Sequence, residues 1–80
     1  DRMSRQAEAE LRERKRAVKA LEEQVAKVEA EIAELEQRLS DPAGLAPADI
    51  EKLSLEHDEK KKLCDELIAK WEEALEALEE

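Results

Sequence analysis

The sequence predicts an all-α fold, an antiparallel two-helix coiled-coil hairpin over residues 1–80, on three observations. Leu11, Val18, Leu21, Val25, Val28, Ile32, Leu35 and Leu39 recur at steps of 7, 3, 4, 3, 4, 3 and 4, which keeps one apolar seam along a helix. Both prolines and the single glycine fall between residues 42 and 47, so any break in the helical pattern belongs there. Charged residues make up 46% of the chain and Trp71 is its only aromatic, a composition that suits a narrow seam better than a compact core.

The first helix is expected from about Ser4 to Leu39, a stretch without Pro or Gly. Leu11, Val18, Val25, Ile32 and Leu39 occupy its a positions, and Leu21, Val28 and Leu35 its d positions. Arg14 interrupts the seam at a d position, and Ser4 and Ala7 fill it thinly, so the N-terminal end is the weak end. A helix of that length spans roughly 50 Å and is marginal in isolation, so packing must hold it.

Residues 40–46 form the expected turn. Pro42 pushes Asp41 out of the helical region, and Gly44 can take a positive φ. A second helix follows from Pro47 to near Leu78. Pro47 suits a first turn because its missing N–H is not needed there, and Asp49 and Glu51 favour the positive end of the helix dipole. So short a connection returns the second helix antiparallel to the first.

On the second helix Leu53, His57, Lys60, Cys64, Leu67, Trp71, Ala74 and Leu78 keep the 4-3 spacing. The seam is richest from Leu63 to Leu78 and poorest over Glu56–Lys62. If a positions face d positions, the numbers of facing residues sum to about 92. Leu21 then meets Trp71, Val25 meets Leu67, Val28 meets Cys64, Ile32 meets Lys60 and Leu35 meets His57. The root of the hairpin is expected to be well packed and the part nearer the turn loosened by His57 and Lys60. Two helices alone bury little surface, which makes a homodimer or docking on a neighbouring domain a further expectation.

Net charge is −9, unevenly spread. Residues 1–20 carry seven Lys/Arg against four acids, a net +3, whereas the other sixty carry seven against nineteen, a net −12. Arg12, Arg14, Lys15, Arg16 and Lys19 are therefore the candidate nucleic-acid contacts, through phosphates and without base stacking, because no aromatic is interleaved. Lys60–Lys62 is a shorter cluster whose plain reading is a solvated face paired with neighbouring acids.

Nothing in the pattern supports catalysis. His57 is the only imidazole and has no ligand set at metal spacing; Cys64 reads as a small apolar seam residue. An open two-helix rod offers no pocket, so the expectation is no enzyme activity, no cofactor and no small-molecule substrate. No apolar run is long enough to span a membrane, and a lone cysteine suits a reduced, cytoplasmic setting. The start at Asp1 suggests a piece of a longer chain.

Leu21-Glu22-Glu23 and Ile32-Ala33-Glu34-Leu35-Glu36 on the first helix, Leu39-Ser40-Asp41-Pro42 at the turn, and Lys70-Trp71-Glu72-Glu73 followed by Leu75 form a recognisable set. With these the chain resembles, from about Arg12 to Leu78, the C-terminal coiled-coil domain of ABC-F ATP-binding proteins of the Uup type. Ile68 stands where that family has an aromatic, and Leu45 where its turn often has Phe or Tyr. The tRNA-binding arm of valyl-tRNA synthetase is less similar, as it lacks the Trp ending. The resemblance implies a non-catalytic accessory domain of a two-cassette ATPase acting on the translating ribosome, which binds RNA or other nucleic acid or modulates the ATPase. The alternative is a structural or oligomerising coiled coil of an unrelated scaffold, cytoskeletal or motor protein.

Overall fold

The computed structural model describes residues 1–79 as two long helices joined by a tight turn. Helix α1 spans Arg2–Leu39, a single 3-10 turn covers Pro42–Gly44, and helix α2 spans Pro47–Glu79. The molecule measures 66 × 15 × 14 Å with a radius of gyration of 18.7 Å. A compact domain of this length would have a radius near ~12 Å, so this is a rod one helix pair thick.

Local chemistry sets the ends of the elements. The Asp1 carboxylate accepts from the Met3 amide at 3.3 Å, supplying one of the partners that the first turn of a helix lacks. At the other end of α1 the Ser40 amide still donates to the Glu36 carbonyl at 2.9 Å, and its hydroxyl donates to the Gln37 carbonyl at 2.7 Å. Asp41 then leaves the helical region at φ −125°, ψ 74°, away from the α conformation that a following proline disfavours. Leu45 is extended and its amide donates back to the Pro42 carbonyl at 3.0 Å. The carbonyl of Ala46 opens α2 by accepting from Asp49 and Ile50 at 2.9 and 3.1 Å, and Pro47 sits where no amide is required.

Gly44 does not use the freedom the sequence suggests for it. No described glycine has a positive φ, because the 3-10 turn reverses the chain with ordinary right-handed backbone.

Val18, Val28, Ile32, Leu35, Leu53, Cys64 and Leu67 are buried, and all seven lie on the 4-3 spacing. Val28, Ile32, Cys64 and Leu67 form the central cluster, with Leu21, Val25 and Ile68 packed against it. None of the described side chains is fully sealed, as expected when each helix has one neighbour. Three polar contacts cross between the helices, Arg14 to Ala77, Glu31 to Lys60 and Glu36 to His57, and each lies within one residue of the expected register.

The distribution of burial corrects part of one expectation. The part nearer the turn is not loosened: Leu53, at 5% exposed, is the most buried residue, Leu35 is buried, and Leu39, Leu45 and Ile50 are half-buried. His57 and Lys60 do not loosen it. Their carbon frameworks lie over the seam while the polar ends reach Glu36 and Glu31 on α1. Towards the root Val18 is buried, and Leu21, Trp71, Ala74 and Leu78 are half-buried. Leu11, expected as a seam residue, is 43% exposed, because the register puts no described residue of α2 opposite it.

Candidate nucleic-acid interface

The cationic residues of the root lie on α1, and helical geometry sorts them into different roles. Arg12, Arg16 and Lys19 are spaced by four and three, so they share one stripe facing away from α2. Arg2 and Arg5 extend the same stripe by the same spacing, and all five are exposed. Reading the sequence by charge density misses these two, since it favours Arg12–Lys19 alone. The signal that finds them is the recurrence at i, i+3 and i+7.

Arg14 belongs elsewhere. Its Nη1 donates to the carbonyl of Ala77 at 3.1 Å, across to α2. That carbonyl lies in the last turn of α2, at the negative end of the helix dipole, where a cation is favoured. Arg16 is partly neutralised by Glu13 on its own helix, Nη1 to Oε1 at 3.2 Å, but both groups are well exposed and such a pair is easily exchanged. Arg12, Lys15 and Lys19 have no ion pair among the described residues, which leaves their charge facing solvent.

Farther along the rod the two flanks of the seam differ. On one flank Lys60 and Glu31 form an ion pair that bridges the helices, and hydrogen bonding from Lys60 holds the Glu31 carboxyl below its usual pKa. Gln24, Lys27, Val28, Leu63 and Leu67 surround that bridge towards the root, and Glu34, Leu35, Arg38 and Glu56 towards the turn. On the other flank a furrow runs between the helices. Its root-side half is lined by Glu22, Val25, Ala26, Glu29, Ile68 and Trp71. The turn-side half shares Glu29 and adds Ile32, Glu36, Lys61, Cys64 and Asp65.

The remaining reactive groups sit in or beside this seam. The Nε2 atom of His57 is 3.8 Å from Glu36 and its Nδ1 is 3.9 Å from Asp58, too long for hydrogen bonds, and Nε2 is shut off from solvent without a partner. The indole Nε1 of Trp71 is in the same condition. Burial, with the charges of Glu29 and Asp65, pushes the Cys64 thiol above its ordinary pKa, so it is a poor nucleophile. No group of three or more His, Cys, Asp or Glu among the described residues could hold a metal ion, and no described helix is long and apolar enough to cross a membrane. What the arrangement offers chemically is contact: a positive stripe at the root, and two flanks of different charge beyond it.

The family of ABC transporter C-terminal domains matches the chain over residues 5–80. No curated protein and no solved structure matches it.

Proposed function

The chain belongs to the ABC transporter C-terminal domain family and is thus an accessory domain of an ABC protein; from that premise we propose that it is a non-catalytic arm of an ABC-F type ATPase acting in translation in the cytoplasm. The arm touches ribosomal or other RNA through phosphates at its root. The observation that carries this reading is the outward stripe of Arg2, Arg5, Arg12, Arg16 and Lys19 on a rod whose remaining sixty residues are net −12. Folding back brings Glu72, Glu73, Glu76 and Glu79 of α2 to the root, so phosphates are attracted to the outward face of α1 there and repelled elsewhere, and the charge orients the arm as well as attaching it. Arg14 contributes indirectly, by holding the end of α2 against the helix that carries the stripe. Family membership speaks against the alternative of an unrelated scaffold, cytoskeletal or motor coiled coil.

The test is a salt titration of binding to duplex RNA or to ribosomes. Affinity should fall steeply with ionic strength, and Arg12→Ala/Arg16→Ala/Lys19→Ala should flatten the log–log slope by about 2–3, near 0.9 for each phosphate no longer neutralised. Binding that is weak and flat even at low salt would refute the RNA contact.

A further inference from the structure

We propose that the furrow beside Trp71 is a docking site for a cationic amphipathic helix supplied by a protein partner. This goes beyond the RNA contact at the root and does not depend on it. The charged residues lining the opposite flank balance: Lys27, Arg38 and Lys60 against Glu31, Glu34 and Glu56. The furrow is lopsided. Four carboxylates, Glu22, Glu29, Glu36 and Asp65, face one cation, Lys61.

Geometry makes that excess useful. Glu22, Glu29 and Glu36 are seven residues apart, so they form a straight row along one edge of α1, the spacing at which a packed helix presents its own flanking charges. Beneath them the floor is apolar and incompletely covered: Val25, Ile68 and Trp71 are half-buried, and Ala26 leaves space at the edge. A helix laid there with leucine-like anchors on the floor and Lys or Arg over the carboxylate row would complete both halves of the surface. The same negative charge is felt inside, where Glu29 and Asp65 add to the effect of burial on Cys64. A phosphate polymer is repelled from this flank, so a nucleic acid and this partner would occupy different faces of the arm.

Trp71 is the only tryptophan and reports directly on the site. The probe is a synthetic helix of about three heptads with Leu at a and d and Lys at e and g, compared with its Glu counterpart, in 0.15 M salt, where off-site charges are screened beyond about 8 Å. The Lys peptide should bind saturably, one per chain, and shift the Trp71 emission to shorter wavelength, while the Glu peptide should not bind. Glu22→Lys/Glu29→Lys/Glu36→Lys should weaken binding at least about tenfold, whereas the equally charged set Glu23→Lys/Glu66→Lys/Glu76→Lys should change it less than about threefold. Ala26→Arg, at an exposed position off the seam, should abolish binding with the helical circular dichroism unchanged. Equal losses from the two charge sets, an unchanged Trp71 emission, or shielding of Trp71 by duplex RNA or by a second copy of the chain would overturn the proposal.

Discussion

Arg14 Nη1 lies 3.1 Å from the carbonyl oxygen of Ala77, so a charged residue at a d position of α1 closes the last turn of α2 in place of filling the seam. The contact joins a cation to the negative end of a helix dipole, which is worth about 0.5 kcal/mol when exposed and falls with salt. Arg14→Ala should speed amide exchange at residues 75–79 without altering exchange around Val28. The increase should shrink in high salt, where the wild-type contact is already weakened.

Lys60 and Glu31 make the second cross-helix link, and its pH dependence has a definite sign. The Glu31 carboxyl is held below its ordinary pKa of 4.5, so the folded state favours the ionised form. Its contribution is complete above that value and disappears as pH falls through the lowered one. Between neutral pH and pH 3 the wild-type chain should lose more stability than Glu31→Gln, as measured by thermal melts. Identical losses would show the bridge to be energetically silent.

Cys64 behaves in the opposite sense at alkaline pH. Its thiol is favoured in the folded state, so the stability it lends is intact below its ordinary pKa of 9.0 and declines as pH rises past it. Cys64→Ala should show less of this alkaline decline. Cys64 is 7% exposed, so the reaction of its thiol with a disulfide reagent at pH 8 should be slow in the folded chain and accelerate sharply in denaturant.

Leu53 and Leu55 are two residues apart and test the seam against the surface. Leu53 is 5% exposed and Leu55 is 61% exposed. Leu53→Ala should cost roughly 2–3 kcal/mol in chemical denaturation, and Leu55→Ala less than about 0.5 kcal/mol. Comparable losses would mean that Leu55 is covered in solution.

Gly44→Ala should stabilise the hairpin. Its φ is not positive, and a Cβ added there meets nothing within 4 Å. Reducing the freedom of the unfolded chain should then raise stability by about 0.5 kcal/mol, visible as a higher denaturation midpoint with an unchanged slope.

Several features were readable because they depend on local order. The 4-3 recurrence from Val18 to Leu35 specifies one helical face, since side chains three and four apart must align whatever the surroundings. Pro42 and Pro47 mark the turn because each constrains its own φ and removes an amide. Other outcomes needed the partner helix. Leu11 satisfies the spacing as well as Val18 does, yet only Val18 has a described residue of α2 across from it. His57 and Lys60 look like defects in a one-dimensional pattern, but the carboxylate that pairs with Lys60, Glu31, is on α1, and His57 lies near Glu36 there.

The sequence by itself determined two helices, their seam and the place where the chain turns, because periodicity and backbone constraint act within a few residues. Only the tertiary structure decided that Arg14 caps α2, that the turn end is covered despite His57 and Lys60, and that one flank is neutral while the other is acidic. The reason is that charge balance and burial belong to pairs of residues, such as Glu31 and Lys60, that are remote in the chain and adjacent only after it folds back.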